Sequence, residues 1–258
     1  MIIIKNFLPK KIFFVYFIFF AFTFKPSLIK GQTKFQNRNY YNSFDSIVGL
    51  NNIGIYEGIL YQDKYRGKDG NHKFYKDTDF IKGEIIYKNL PFYNIEMKYD
   101  LFNDIIIVHP PSQSQFYAIQ LPNEKIDEFI IEKHHFIKIT GKFEMFFNKY
   151  TSGFYEFLYK NDRLKLFKKN RKIRKERTGE YFGYSVFLDK NEYLIKKEDE
   201  YYKIKSKKYL IKLFPNLKKE IKHFYSSNKH LLKSDKDTFM INLIKHISHL
   251  IIDSQTAP

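Results

Sequence analysis

The chain contains no cysteine and no tryptophan, only 11 glycines and 8 prolines in 258 residues, and almost no alanine. Each shortage excludes something. Without cysteine there is no disulfide framework, thiolate metal site, cysteine nucleophile or lipidated-cysteine anchor. The modest glycine and proline content excludes collagen-like and low-complexity chains, and no repeat of solenoid length is present. Short catalytic signatures are missing too: there is no G-x-S-x-G elbow, no glycine-rich phosphate loop and no H-E-x-x-H. Nothing in the sequence calls for a cofactor. Absence of a signature lowers the enzyme reading without removing it, because many hydrolases carry none.

What is present is apolar material and positive charge. Hydrophobic residues make up 43% of the chain and aromatics 19%, which excludes intrinsic disorder and leaves a folded globular protein. The net charge is +17. Lysine outnumbers arginine 39 to 6, and isoleucine and asparagine are abundant, a bias that an AT-rich genome would also produce.

The N-terminus accounts for part of both excesses. Lys5, Lys10 and Lys11 precede an apolar stretch over 12–24, and a polar, proline-containing segment follows over 25–32. That order is the pattern of a secretory signal peptide. Thirteen residues span only about 20 Å as a helix against about 30 Å of hydrocarbon, so a transmembrane anchor is the weaker reading. Cleavage after Gly31 would remove five lysines and no acid, lowering the net charge from +17 to +12, and would remove eight Phe and one Tyr. The basic, aromatic character therefore belongs to the exported domain. The expected location is the periplasm or cell envelope.

After a polar, asparagine-rich lead-in over 32–52, residues 53–205 read as β structure. The clearest pattern is FIKGEIIYKNLPFYNIEMKYDLFNDIIIVH over 80–109. It divides into three strands, with breaks at Asn89-Leu90-Pro91 and over 99–104, too short for helical crossovers, so the strands form an antiparallel meander. Further strands are expected over 53–61, 115–121, 126–132, 135–139, 142–147, 153–159, 163–167, 181–188, 192–197 and 201–204. The pattern changes after Lys205. Ser206 can cap a helix, Pro215 can start a second, and Ser234 with Asp237 resembles a capping box. The expectation is an α+β fold. A mainly antiparallel β meander forms a roll, half-barrel or barrel, and a C-terminal helical subdomain of two or three helices follows over 206–253, with a polar tail over 254–258.

The segments GEIIYKNLPFYNIEMKYDLFNDIIIVHP (83–110), SGFYEFLYKNDRLKLFKK (152–169) and EYYKIKSKKYLIKLFPNLKKEIKHF (200–224) resemble an uncharacterised family of secreted proteins from Bacteroidota. The similarity covers most of the chain from about residue 53 to 250. Its most specific parts are the YDL turn and the KLFP element followed by a lysine-rich helix. The resemblance implies an exported, envelope-associated protein and brings no activity or catalytic residues with it.

Several groups are candidate sites. His246 and His249, three apart on a helix with Asp253 a turn further, form the one conceivable metal cluster, but an ordinary helix surface explains them better. His134 and His135 are adjacent in a strand and point to opposite faces. Asp100 and Asp104 flank a tight connection, where carboxylates favour backbone hydrogen bonds over catalysis. The densest charge is KKNRKIRKER over 168–177. Its cations Lys168, Lys169, Arg171, Lys172, Arg174, Lys175 and Arg177 form a candidate contact with an anionic surface, the alternative being a solvated connection between strands. Export weighs against nucleic acid as the partner.

The functional expectation is a non-enzymatic binding or scaffolding protein whose partner is an anionic lipid, lipopolysaccharide or another envelope protein. A lipid or lipoprotein carrier with an aromatic-lined curved sheet and a hydrolase of envelope polymers are the alternatives. No integral membrane span is expected in the exported chain.

Overall fold

A computed structural model describes residues 54–256 except positions 66, 69, 112, 115, 116, 141–151, 180 and 181. The signal segment, the lead-in and the strand expected over 142–147 lie outside the described residues. The described residues fall within one compact unit.

The protein is α+β. Among the described residues, eleven antiparallel strands form one open sheet in the order β1-β5-β4-β3-β2-β6-β7-β8-β9-β12-β13, and two more, β10 and β11, pair apart from it. The strands are β1 (Ile59–Leu60), β2 (Ile81–Tyr87), β3 (Leu90–Asp100), β4 (Ile105–Val108), β5 (Ile119–Gln120), β6 (Ile126–Ile131), β7 (His134–Ile139) and β8 (Gly153–Lys160). There follow β9 (Leu164–Lys169), β10 (Lys172–Thr178), β11 (Gly183–Asp189), β12 (Glu192–Lys197) and β13 (Glu200–Ile204). The expected meander over 80–109 is β2, β3 and β4. Its first break lies at Lys88 and Asn89, whose φ angles of 52° and 64° match the primed turns that suit the twist of a hairpin. Leu90 and Pro91 are already in β3. The run expected as a strand over 53–61 is a 3-10 turn at Gly54–Tyr56 followed by the two residues of β1.

Among the described residues, four α-helices follow where two or three are expected: α1 (Lys207–Leu213), α2 (Lys218–Ser227), α3 (Lys229–Ser234) and α4 (Lys236–Thr256). The extra break falls at Asn228, whose side chain donates to the Phe224 carbonyl at 2.9 Å and ends α2. Ser206 precedes α1 but makes no capping bond through its side chain. The capping box expected at Ser234 is displaced by one residue. Asp235 accepts from the Thr238 amide at 3.0 Å and from its hydroxyl at 2.6 Å, while Ser234 closes α3 by donating to the His230 carbonyl. A carboxylate is the stronger acceptor at a helix N-terminus because the helix dipole favours its charge. Among the described residues, no helix is long and apolar enough to cross a membrane.

The core has two main parts. Tyr99, Phe129, Phe136 and Phe154 meet on one sheet face, with Phe129 stacked on Phe136 at 4.7 Å. Leu164, Leu166, Tyr193 and Ile195 on β9 and β12 carry the helices through Leu210, Phe214, Phe239, Leu243 and Ile247.

The register organises the charged region. Leu164 pairs with Lys197 and Lys169 with Glu192, and in the same register Lys172 pairs with Asp189 and Thr178 with Gly183. The strands β9 and β10 with β11 and β12 are therefore one long hairpin. The chain leaves the main sheet at Asn170 and returns at Asn191. There the Lys190 amide donates to the Arg171 carbonyl at 2.7 Å, and the Arg171 amide to Asn191 Oδ1 at 3.1 Å.

Candidate functional site

The basic run is not a solvated connection: it is the end of β9, a corner at Asn170 and Arg171, and nearly all of β10. Lysine and arginine in a row hide the β period, because both faces of the strand carry charge. Strand alternation then sorts the cations. Lys168, Lys172 and Arg174 share one side of the hairpin, and each has an internal partner. Lys168 pairs with Asp237. Lys172 donates to the His72 carbonyl at 2.6 Å. Arg174 lies 4.4 Å over the Tyr65 ring, donates to Ser185 Oγ at 2.9 Å and pairs with Glu176.

The other side divides along its length. Lys169 is buried and pairs with Asp104. Arg171, at the corner, lies 3.8 Å from Glu192. Lys175 and Arg177, further out, are exposed and make no ion pair with any described residue. Of the seven cations expected to meet an anionic surface, these two are the ones free to do so.

The far half of the hairpin is held at its base. Asn71 Oδ1 accepts from the Phe187 amide at 2.6 Å and Asn71 Nδ2 donates to the Phe187 carbonyl at 3.0 Å. Phe187 packs against Phe102 at 5.7 Å and Tyr65 at 6.2 Å. Beyond this anchor, Lys64, Tyr65, Arg174, Arg177 and Tyr184 line a shallow polar hollow of about 420 Å³.

Asp100 and Asp104 part company. Asp100, fully buried, accepts the amides of Phe102 at 2.9 Å and Asn103 at 3.0 Å and so builds its turn. It also lies 3.3 Å from Lys73. Burial pulls the Lys73 ammonium down, but its hydrogen bonds to Asp63 and Tyr61 and the charge of Asp100 outweigh that and hold it at about 12. Asp104 serves a different purpose. It accepts from the buried Tyr99 hydroxyl at 2.5 Å and from Lys169, which ties the β3–β4 turn to β9. Burial pulls the Lys169 ammonium below its usual range, and Asp104 counters that. Gly153 makes room for the pair: at φ +142°, a Cβ there would lie 1.9 Å from Asp104 Oδ2 and 2.3 Å from Lys169 Nζ.

The histidines go to separate partners. His134 Nδ1 lies 2.6 Å from Glu156, whose other oxygen accepts from Asn170 at 2.6 Å. His135 Nε2 lies 2.8 Å from Glu128. His246 is exposed and stacks on Phe224 at 5.5 Å, and His249 is exposed, while the side chain of Asp253 lies outside the described residues. Among the described residues, no three His, Asp or Glu side chains gather as a metal site. Burial, with the charge of Lys172, lowers the His72 imidazole below its ordinary value.

A cavity of about 610 Å³ opens between the β8–β9 and β12–β13 turns and the helices. Leu164, Leu213, Phe214, Leu217 and Ile251 line it, with Asp162, Arg163, Lys197 and Glu198 among its polar residues. No local pattern in the chain announces this hollow, because its walls come from four separated segments. No protein-family model, curated protein or solved structure matches this chain.

Proposed function

We propose that this is an exported cell-envelope protein with a binding role, which docks on an anionic surface through the far half of the β9–β12 hairpin. The observation that carries the reading is the outward placement of Lys175 and Arg177 on a ribbon that leaves the main sheet. Cations on a projecting ribbon can approach a plane of negative charge without moving the core, and each contributes about 1 kcal/mol near an anionic leaflet. The signal-like N-terminus and the resemblance to secreted Bacteroidota proteins agree with this location. The chain from Gln32 onward should sediment with phosphatidylglycerol-containing vesicles at low salt, be released by salt, and stay in solution with phosphatidylcholine vesicles. Equal behaviour with both lipids would defeat the reading.

A lipid carrier is the second reading, and one observation favours it. The cavity of about 610 Å³ has the size of a small-molecule site and a mainly apolar wall. It lies against the helices, whereas the aromatic face around Phe129 and Phe136 is filled by its own rings. Protein purified from its native envelope should then retain lipid mass in native mass spectrometry, and Leu217→Trp should abolish that retention.

A further inference from the structure

The same hairpin carries a second pattern, in its apolar residues. On the outward side, β10 presents Lys175 and Arg177, and their cross-strand partners on β11 are Val186 and Tyr184. Leu188, 38% exposed, continues that β11 row and pairs with Ile173. At the tip, Phe182 is 45% exposed, and its carbonyl accepts from the Gly179 amide at 3.0 Å. A row of positive charge thus runs beside a row of apolar and aromatic side chains and ends on a phenylalanine. The inward side is occupied at its base by Tyr65, Phe102 and Asn71, while on the outward side Lys68 lies 5.2 Å over the Tyr184 ring, Tyr184 and Val186 are half-buried, and Leu188 and Phe182 are exposed.

We propose that this hairpin is an interfacial membrane finger. Its cations sit among anionic phospholipid headgroups while Phe182 and the Tyr184–Leu188 row enter the boundary with the acyl chains. The inference rests on the anionic-surface reading and adds depth of insertion to it. The physical argument is complementarity of both kinds. Headgroup phosphate neutralises Lys175 and Arg177, which among the described residues have no acidic partner. The adjoining hydrocarbon removes from water an apolar edge that the fold leaves exposed. Aromatic rings are favoured at that depth because their faces are apolar and their edges tolerate polar neighbours. Seven paired positions give the ribbon about 20 Å of reach at about 3.4 Å per residue, enough to hold the tip away from the main sheet.

The chain has no tryptophan, so one introduced tryptophan reports on one site alone. Phe182→Trp, in the chain from Gln32 onward, should show a blue-shifted emission with phosphatidylglycerol vesicles and quenching by lipids brominated on the acyl chain. Leu90→Trp, at the exposed first residue of β3, should show neither. Neutralising the cations in Lys175→Gln/Arg177→Gln should weaken binding at low salt by about 30-fold, taking about 1 kcal/mol per charge. Phe182→Ser/Leu188→Ser should weaken it about tenfold or more at any salt concentration, because the lost contribution is apolar. If the Phe182→Trp chain binds vesicles while its indole emission stays unshifted and unquenched, insertion is overturned and electrostatic docking stands. Failure of the unsubstituted chain to sediment would overturn both.

Discussion

Replacing Gly153 by alanine tests the buried Tyr99–Asp104–Lys169 cluster most directly. The new Cβ would lie 1.9 Å from Asp104 Oδ2 and 2.3 Å from Lys169 Nζ, far inside contact distance, so the pair must separate. Asp104 cannot retreat freely, because its other oxygen holds the Tyr99 hydroxyl at 2.5 Å, and Lys169 is enclosed with Tyr155 5.1 Å away. A non-glycine residue held at φ +142° costs about 1–3 kcal/mol. Breaking a buried ion pair costs about 3–5 kcal/mol, because a charge is left without its partner. The substitution should therefore remove about 4–8 kcal/mol, a large share of the roughly 5–15 kcal/mol that stabilises a typical domain. Urea unfolding followed by circular dichroism and tyrosine fluorescence measures it. In an Asp104→Ala/Lys169→Ala background both obstructing atoms are gone, and the same alanine should cost only the conformational share, about 1–3 kcal/mol. A loss below about 1 kcal/mol in the native background, or an equal loss in both, would refute the reasoning.

Three further outcomes follow from the described geometry. Phe129→Ala should destabilise the protein by about 3–5 kcal/mol in the same urea assay, since Phe129 is fully buried and meets Tyr99, Phe136 and Phe154 within 5.3 Å. Asp235 is depressed below its ordinary value by its bonds to the Thr238 hydroxyl and amide, so its contribution is present above about pH 3.8 and lost as pH falls through the folded value. Asp235→Asn should flatten the dependence of Tm on pH in that acid range. His72 should titrate below its ordinary 6.5 in an NMR series, and Lys172→Met should move it upward by removing the neighbouring charge.

The long periodic strands were legible in the sequence because apolar side chains alternate and hairpin turns carry their own signals. β2, β3 and β4 are the clear case: Asn89 and the Asp100–Asp104 turn mark the breaks, and no helix fits between. The strand β10 was not legible. Its sequence, KIRKERT, has charge on both faces and almost nothing apolar, so its period appears only once a partner strand gives it an inside and an outside. The same holds for the candidate site. Sequence alone picked out seven cations as a group, and the register divided them among Asp237, Asp104, Glu192, His72, Tyr65 and solvent.

Composition and pattern determined that the chain folds, that it builds antiparallel β structure followed by helices, that it lacks all cysteine chemistry and that its surface is strongly basic. These follow from local periodicity and residue counts, which no partner can alter. Tertiary structure alone decided that the sheet stays open, that β9 through β12 form one hairpin whose far half leaves the main sheet, and which charges are buried. Those depend on strand order and register, set by packing between segments far apart in the chain: Gly153 against Asp104 and Lys169, and Asn71 against Phe187.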